Sequence, residues 1–422
     1  MSPAPDDAVR VAILTPRLPP GAGMGGIAAA HFNLFCALLK AGWRVKAFAY
    51  QDSHDAESET EIRRVQSPAL VAGIRRSCEA ALAVLDPFRR SYQLAEALGG
   101  ALAGLRLRES LLRFRPGVIL VPDKGCPLAL LAKPPGARVI WMSHHNPMRF
   151  LGMDSSPPLS ALDAKLATRL EARGLRKADL VLCPSRDMRE QFLRTYRFDG
   201  PVEIVPHVMS QEVDAVGTVS PPLRQILRIS EHAPLFCLPG AGTSAKGGRF
   251  LAPLLADIGR RFPEAGVFVA GAVEHAHLAA AGSAPAHVHV FSPGALPYAE
   301  NLARVRECDV ALSPALLESF GMALLEAAWL GVPVAAFEAG GIPDLIGTTG
   351  SGQNGETVPV ADVVRLGAAG ESLFRRLRSG ELTRAQVSAA TRTRFATART
   401  VALLGSLIDS LLGEKPRPRR PT

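Results

Sequence analysis

Aromatic residues are scarce in this chain of 422 residues, at 6% of the composition, with only four tyrosines and three tryptophans. Proteins that bind single-stranded nucleic acid interleave aromatic side chains with cations, so that the bases can stack. This chain carries a formal charge of +9, but its basic residues are not interleaved with aromatics. The composition therefore argues against nucleic acid as a partner, and the basic surface suits anionic small ligands or anionic membranes.

Cysteine pairs are also lacking, because the six cysteines stand far apart and none forms a C-x-x-C motif. They are Cys36, Cys78, Cys126, Cys183, Cys237 and Cys308. Structural zinc requires closely spaced ligands, and disulfides belong to oxidising compartments. We therefore expect free thiols, no bound metal and a cytoplasmic location.

Long apolar stretches are expected to be absent as well. None was found to approach the roughly 20 residues that span a bilayer, and the N-terminus is polar and acidic, unlike a signal peptide. Arginine-rich stretches with apolar residues between them occur at 75–76, 89–90, 106–108 and 113–115. They predict either a peripheral contact with anionic lipid at the inner membrane face or a solvated helix face, and the second interpretation is the simpler.

Short β-type runs alternate with helical segments along the chain. Val9–Leu14 and Val45–Tyr50 flank a helical stretch at Ile27–Ala41, and β-type runs continue to Val202–Val205. After a turn-rich linker at Pro206–Leu223 the alternation restarts. This pattern predicts an α/β protein with two Rossmann-like, doubly wound domains. The predicted parts are two domains at 1–206 and 207–395, a C-terminal helical part at 396–413 and a disordered basic tail at 414–422. The sequence predicts one last helix over Val387–Leu412.

A glycine-rich loop follows the first strand of each half, at Pro19–Gly26 and Pro239–Gly248. Neither loop has the full G-x-G-x-x-G pattern with an acidic residue about 20 positions later, which argues against a nicotinamide dehydrogenase. The second loop carries Lys246 in front of a glycine pair, and such a lysine can reach phosphate oxygens. A lysine on a surface loop is the alternative interpretation.

Glu326 is the only charged residue in the apolar run from Phe320 to Leu330. The composition of this run predicts a helix with little solvent-facing surface. A buried carboxylate without a polar partner costs several kcal/mol, and no lysine or arginine lies within one helical turn. We therefore expect a ligand with hydroxyl groups to satisfy Glu326, or else a narrow solvent-facing stripe on the helix.

Small residues and a second carboxylate flank this helix. Glu318 and Ser319 precede it, and Ser319 is predicted to cap its N-terminus. Gly321 allows close approach of a backbone, and the pair Gly340-Gly341 follows the next strand. Helix N-termini favour anions, because unpaired N–H groups and the helix dipole both attract negative charge.

These residues resemble the signature segments of the retaining glycosyltransferases of family 4. Pro314–Gly321 (PALLESFG) looks like the P-S-x-x-E-G-F-G segment of that family, and Gly331–Pro343 looks like its G-x-P-V…G-G segment. Glu318 and Glu326 match its E-x7-E motif. The resemblance implies a GT-B fold, in which an acceptor-side domain and a nucleotide-sugar domain face a central cleft and the last helix crosses back onto the first domain.

The resemblance also implies a role for each matching residue. Glu326 would bind the ribose hydroxyls of the nucleotide, and Glu318 the hydroxyls of the donor sugar. Lys246, Gly25 and Gly26 would hold the diphosphate. The other residues expected at the donor are Ser319, Phe320, Gly321, Met322, Gly340 and Gly341.

A histidine pair follows the predicted strand Val139–Met142, in the sequence His144-His145-Asn146. The family often places a histidine against the donor sugar at this point, and His145-Asn146 fits the family order better. A solvated pair of loop histidines is the alternative. The residues expected to act in catalysis are Glu318, Lys246, His144 and His145.

The chain departs from the family pattern at two places. Ala241 stands where the family has an arginine on the diphosphate, a contact worth roughly 1.5–3 kcal/mol; Arg17 or Arg249 could compensate. In the linker, Pro206-His207-Val208 replaces the Pro-Asn-Gly of the family.

The expected activity is metal-independent transfer of a sugar, with retention of its anomeric configuration, in polysaccharide or glycoconjugate biosynthesis. The donor would be a UDP- or GDP-sugar and the acceptor a glycan, a lipid-linked molecule or a small molecule, with no further cofactor. Ala241 motivates one alternative, a non-catalytic partner of another glycosyltransferase. A nucleotide-sugar epimerase of similar fold is the other.

Overall fold

The computed structural model describes residues 9–18, 26–52, 56–57, 61–66, 69–152, 157–274, 277, 279, 282, 284–348 and 350–413. The chain forms two compact units. Unit 1 comprises Met1–Val208 with Thr397–Thr422, and unit 2 comprises Met209–Ala396. The unit boundaries thus fall two residues and one residue after the predicted domain boundaries. Gly25 and the predicted disordered tail, 414–422, lie outside the described residues.

Unit 1 is built on an eight-stranded sheet in the order β3-β4-β2-β1-β5-β6-β7-β8. Its strands are β1 Arg10–Thr15, β2 Arg44–Asp52, β3 Ala56–Glu57, β4 Ile62–Gln66, β5 Val118–Pro122, β6 Arg138–Met142, β7 Leu180–Cys183 and β8 Val202–Ile204. Every neighbouring pair is parallel except β3 and β4 at the edge. The helices between the strands are α1 Gly26–Lys40, α2 Ala69–Leu85, α3 Gln93–Gly104, α4 Arg108–Phe114, α5 Ala161–Leu175 and α6 Arg186–Thr195.

The sheet of unit 1 is covered on both faces, as its uninterrupted apolar strands require. Successive residues of a strand point to opposite faces. Accordingly Leu14 and Val121 join one apolar core, whereas Ile13 and Leu120 join the other. This architecture brings the carboxyl ends of β5 and β6 to one edge of the sheet, where polar side chains follow both strands.

Unit 2 contains a six-stranded, fully parallel sheet in the order β11-β10-β9-β12-β13-β14. Its strands are β9 Leu235–Pro239, β10 Ala265–Ala270, β11 Val288–Phe291, β12 Val310–Ser313, β13 Val334–Phe337 and β14 Gly355–Val358. Its described helices include α7 Leu223–Leu227, α8 Leu251–Arg261, α9 Tyr298–Glu307, α10 Met322–Trp329, α11 Ile342–Leu345, α12 Val363–Ser379 and α13 Arg384–Arg394. The central strands β9 and β12 are entirely buried. Because they pair in parallel, their carboxyl ends lie beside each other.

The predicted single helix near the C-terminus is in fact two helices, α13 and then α14 Thr397–Gly413. The chain leaves the helical conformation at Phe395 (φ −114°, ψ 29°), whose ring packs at 5.8 Å from that of Phe320. Helix α14 belongs to unit 1. Its buried residues Val401, Leu404 and Ile408, at helical spacing, join the core that also contains residues of α1.

One segment, Arg384–Gly413, is long and apolar enough to cross a membrane by length and composition alone. This finding corrects the expectation that no apolar stretch approaches that length. A third of the most apolar window is buried inside the protein, where Leu404 and Ile408 pack in the core of unit 1. A core helix passes the same test of length and composition, so the segment is weak evidence for a span.

Candidate functional site

The loop that carries Glu318 leaves strand β12 and runs from Pro314 to Gly321. Two neighbouring loops of unit 2 hold it through backbone hydrogen bonds. The N–H groups of Leu316 and Leu317 both donate to the carbonyl of Ala245 at 3.1 Å, and Gly341 donates to the carbonyl of Glu318 at 2.9 Å. The Lys246 loop and the glycine pair after β13 therefore both contact the Glu318 loop.

Two glycines make these contacts possible. Gly247 has φ 81° and Gly340 has φ 56°, a left-handed conformation that side chains disfavour. A Cβ atom at Gly247 would lie 1.9 Å from the carbonyl oxygen of Pro314, and one at Gly340 would lie 1.9 Å from that of Glu318. These two glycines thus let their loops approach the protein's own Glu318 loop closely.

Lys246 and Glu318 form an ion pair in unit 2, with the lysine Nζ donating to Oε2 of the carboxylate. The same Nζ lies 3.4 Å from the carbonyl of Leu317. Both side chains remain partly exposed to solvent. Because exposed ion pairs contribute little stability, these two charges can be shared with a ligand at small cost.

Glu326 accepts a hydrogen bond from the Tyr298 hydroxyl at 2.8 Å. From the sequence, only a ligand or solvent was expected to satisfy Glu326, so this protein partner is a correction. Tyr298 begins helix α9, 28 residues away, and no local spacing could reveal it. Burial raises the pKa of Glu326 to about 7, and the bond from Tyr298 opposes that rise. The carboxylate therefore titrates near neutrality.

Helix α10, which carries Glu326, begins at Met322 and not at Phe320. Its N-cap is Gly321 with φ 102°, and no side chain caps it. The prediction that Ser319 caps this helix is therefore wrong, because the left-handed turn at Gly321 separates Ser319 from the first helical residue. Phe320 is buried against Phe395, so its side chain anchors the loop.

Ala241, at the position of the missing arginine, is completely buried in the core of unit 2. The two proposed substitutes differ in location. Arg17 lies in unit 1, where its Nε donates to the carbonyl of Gln51 at 3.3 Å. Arg249 lies in unit 2, three residues after Lys246, with its guanidinium 4.8 Å from the ring centre of Phe250. Of the two arginines, Arg249 is therefore the one that lies in the same unit as Lys246.

In unit 1, His144 belongs to a cluster with His31 and His207. The Nε2 atoms of His31 and His144 are 3.1 Å apart, and the rings of His144 and His207 are centred 4.9 Å apart. The three histidines line a cavity of about 30 Å³, room for roughly one water molecule. Burial lowers the pKa of His144 to about 3 and that of His31 well below its usual value, so both rings are neutral.

His145 points to different neighbours. Its Nδ1 lies 3.8 Å from Oε1 of Glu171, and its ring centre lies 4.9 Å from that of Phe150. Burial lowers the pKa of His145 and raises that of Glu171, which also accepts a bond from the Tyr196 hydroxyl. The interpretation of His144 and His145 as solvated loop histidines is therefore wrong, and His144 is the one that lines the cavity.

Asp123, which was not predicted as a site residue, holds His144 and His145 in place. Its Oδ2 accepts hydrogen bonds at 2.8 Å from the backbone N–H groups of both His144 and His145. Asp123 is buried and directly follows strand β5, the neighbour of β6. An aspartate placed directly after a buried strand was the available signal.

Two family descriptions match the chain. Residues 24–213 match Glycosyltransferase Family 4, and residues 219–377 match Glycosyl transferases group 1. No curated protein sequence gave a significant match. The two matches divide the chain near the boundary between unit 1 and unit 2.

Solved structures share the fold over nearly the whole chain. Sucrose-phosphate synthase of Thermosynechococcus elongatus is 16% identical, with a TM-score of 0.72 and coverage of 96% of this chain and 99% of that one. The catalytic domain of starch synthase IV of Arabidopsis thaliana, bound to ADP and acarbose, is 14% identical, with a TM-score of 0.68 and coverage of 96% and 100%. Anabaena HepE in complex with UDP-glucose is 16% identical, with a TM-score of 0.63 and coverage of 95% and 100%.

Two doubly wound sheets in two units, together with these structural matches, define a GT-B fold. The family matches make the protein an enzyme of the glycosyltransferase type. It belongs to the family 4-like glycosyltransferases, as the segments around Glu318 and Glu326 predicted.

Proposed function

We propose that this enzyme transfers a sugar from a UDP- or GDP-sugar to an acceptor, with retention of anomeric configuration and without a metal ion. The observation that carries the proposal is the pair of carboxylates in unit 2, one bound to Lys246 and one to Tyr298. Two proteins of similar fold, whose structures hold UDP-glucose and ADP, support a nucleotide donor. The acceptor class stays open between a glycan, a lipid-linked molecule and a small molecule.

Glu326 is the proposed ribose contact. A carboxylate has two oxygens with about four acceptor positions, and the Tyr298 hydroxyl occupies one of them through Oε1. The hydroxyls of a ribose can use the others. Because the pKa of Glu326 lies at about 7, a ligand that binds only the ionised form also shifts this carboxyl group towards its deprotonated form.

Lys246 and Glu318 are proposed to receive the diphosphate and the sugar. An ammonium group has three donors, of which one reaches Glu318 and a second points at the Leu317 carbonyl. A phosphate oxygen can take the third donor or displace the weak contact to Leu317. Lys246 would thereby stabilise the negative charge that develops on the leaving diphosphate. Metal-dependent transferases use a bound metal ion for this purpose.

The remaining expected site residues keep proposed roles. Gly321, Met322 and Gly340 lie around Glu318 and would bring backbone N–H groups to the donor, whereas the N–H of Gly341 donates to the carbonyl of Glu318 and would hold that loop. His144 and His145 are neutral near pH 7, because burial lowers both pKa values, so each would contact a substrate as an uncharged imidazole. We also propose a cytoplasmic location, supported by six free thiols.

Binding of a panel of UDP-, GDP- and ADP-sugars, followed by thermal shift, tests the donor proposal. A donor at about 100 times its dissociation constant stabilises a protein by roughly 2.7 kcal/mol, which the method detects. We expect Glu326→Ala to abolish the shift. Tyr298→Phe is the matched control, because it removes the same hydrogen bond and keeps the carboxylate; it should retain binding.

Five outcomes would revise the proposal. No shift with any donor would remove it, and equal losses in Glu326→Ala and Tyr298→Phe would reduce Glu326 to a structural residue. Donor binding with transfer and hydrolysis at background would favour the non-catalytic protein that Ala241 motivates. Conversion of the donor without any acceptor would favour an epimerase, and inversion at the anomeric carbon of the product would remove the retaining mechanism.

A further inference from the structure

The end of helix α2 and the turn that follows it carry three large apolar side chains that are strongly exposed. Val84 is 81%, Leu85 is 69% and Phe88 is 85% exposed, and these are the three highest values for large apolar residues in the described part of the chain. Scattered exposed apolar residues are common, but a cluster of large ones marks an interaction surface. We call Val84, Leu85 and Phe88 the apolar tip.

Positive charge surrounds the apolar tip. Arg89 and Arg90 follow it directly and are exposed. Their backbone segment is anchored, since the Arg90 N–H donates to the Pro158 carbonyl at 2.8 Å and the Arg90 carbonyl accepts from the Ser160 N–H at 3.0 Å. Of the side chains, Arg89 Nη1 donates to the Leu159 carbonyl at 3.4 Å, and the Arg90 guanidinium lies 5.3 Å from the ring centre of Tyr92. The nearest acid along the chain, Asp86, is only partly exposed and accepts a bond from the Ser160 hydroxyl at 2.7 Å. The tip thus combines apolar bulk with two exposed arginines.

Helix α2 itself continues this surface. The exposed residues at helical spacing along its outer face are Ala69, Ala72, Arg76, Ala80 and Ala83. Four of these five are alanines and the fifth is an arginine, and the acidic Glu79, which is only partly exposed, lies beside them. The opposite face of the helix packs on unit 1 through the buried Val71 and Leu82.

We propose that the apolar tip docks on an anionic phospholipid bilayer. Val84, Leu85 and Phe88 would enter the boundary between headgroups and acyl chains, while Arg89 and Arg90 contact the lipid phosphates. Anionic lipid offers both parts of the required complement, an apolar layer directly beneath a negative one. A second copy of the chain fits worse, because a two-fold contact through the tip would bring two sets of arginines together.

Insertion can be measured directly with a fluorescent tip. Phe88→Trp keeps the aromatic side chain, and its emission should shift to the blue and be quenched by vesicles of brominated phosphatidylcholine mixed with 30% phosphatidylglycerol. Val364→Trp is the matched control, since Val364 is the next most exposed large apolar residue, at 59%, and lies in unit 2. Its emission should not change.

Sedimentation of the full chain with the same vesicles separates the contribution of the apolar side chains from that of the arginines. Leu85→Ser with Phe88→Ser should lower the vesicle partition coefficient at least tenfold, whereas Val360→Ser with Val364→Ser should not. Arg89→Gln with Arg90→Gln should lower it about thirtyfold, at roughly a factor of five for each arginine. The exposed pair Arg365 and Arg375, changed in the same way, is the control for net charge.

The expected result is binding to anionic vesicles that weakens with salt and with either set of tip changes. Equal binding to pure phosphatidylcholine, or unchanged binding of the Leu85→Ser, Phe88→Ser variant, would overturn the proposal. So would sedimentation equilibrium that shows, without lipid, a dimer which this variant dissociates. None of these readouts depends on glycosyl transfer, so they stand apart from the test of the donor.

Discussion

The ionisable side chains of the Glu318 loop in unit 2 and those of the histidine cluster in unit 1 are stabilised in opposite ways. Around the Glu318 loop, Lys246, Glu318 and Glu326 keep partial exposure and each has a polar partner. In the cluster, His31 and His144 are buried, contact each other, and carry Nδ1 atoms with no hydrogen-bond partner among the described residues.

This difference shows what each region can do with charge. A partly exposed ion pair can exchange partners at little cost, which suits a site that must accept an anionic ligand and release it. A buried imidazole loses its water on folding and favours its neutral form. Such a group can contact a ligand through its shape and its hydrogen bonds, without a charge. If the comparison is right, the two regions should respond differently to substitution and to pH.

The largest effect is expected for Lys246→Ala. Loss of a cation that stabilises developing charge typically lowers kcat by about 10²- to 10³-fold, whereas the free energy of unfolding should change by less than about 1 kcal/mol, as for an exposed pair. Arg365→Ala, which removes the cation of an exposed ion pair elsewhere in unit 2, is the control for charge. A large fall in stability with unchanged turnover would instead make the Lys246–Glu318 pair structural.

The next effect concerns the glycine that fits the Glu318 loop. Gly340→Ala should lower the free energy of unfolding of unit 2 by about 3 kcal/mol or more, because a left-handed backbone and a clash with the Glu318 carbonyl add together. Gly350 has a similar φ of 63° but open space around it, so Gly350→Ala should cost only about 1 kcal/mol. Urea unfolding measures both, and equal losses would show that the contact with Glu318 contributes nothing.

The histidine cluster should destabilise unit 1 in acid. The pKa of His144 is about 3 in the folded protein against 6.5 ordinarily, so the unfolded chain binds its proton first as pH falls. Stability is unaffected above about pH 6.5 and is lost progressively below it, by about 2 kcal/mol at pH 5. Urea unfolding at pH 5.0 and 7.5, with hydrogen exchange of unit 1 peptides, measures this loss.

A matched pair of variants decides whether the cluster causes this acid sensitivity. His144→Gln should flatten the dependence on pH, while His232→Gln, a change at an exposed histidine of unit 2, should leave it intact. An unchanged slope in His144→Gln would mean that the buried cluster accommodates its proton and that the contrast with unit 2 fails.

The sequence predicted the parallel sheets well, because their strands are short Val-, Leu- and Ile-rich runs that leave little ambiguity. Val9–Leu14, Val139–Met142 and Val202–Val205 were predicted within one residue of the bounds that the structure shows. The break at Phe395 was missed, since Phe395 leaves the helix through a contact with Phe320, 75 positions earlier. Local periodicity carries no information about such contacts.

The site followed the same rule. Glu318 and Glu326 were recognisable because a motif fixes their spacing, and Lys246 because its loop follows a strand. Tyr298, Asp123 and the contact between His31 and His144 depend on distant segments meeting in space. Their burial and hydrogen bonds set the pKa values, so the chemistry of the site could not be derived from spacing alone.

The smallest predicted effect, and the sharpest for Glu326, is on the pH dependence of donor binding. If UDP-glucose binds only the ionised carboxylate, a pKa of about 7 makes its affinity rise about tenfold between pH 6 and pH 8. The phosphates of this donor do not titrate in that range, whereas those of UDP do. Isothermal titration calorimetry at several pH values gives the midpoint.

Two variants and the free protein supply independent checks on this midpoint. Glu326→Gln should bind weakly at every pH, and Tyr298→Phe should move the midpoint to higher pH, because the lost hydrogen bond lowers the pKa of the carboxylate. In the free protein, the raised pKa of Glu326 makes stability fall with rising pH, whereas donor affinity rises. The reason is that the folded protein keeps the proton to a higher pH than the unfolded chain does. The unfolded chain releases its proton from about pH 4.5, so the free energy of unfolding falls as pH rises to about 7 and is then constant. A midpoint that Tyr298→Phe does not move would show that the titrating group is not Glu326.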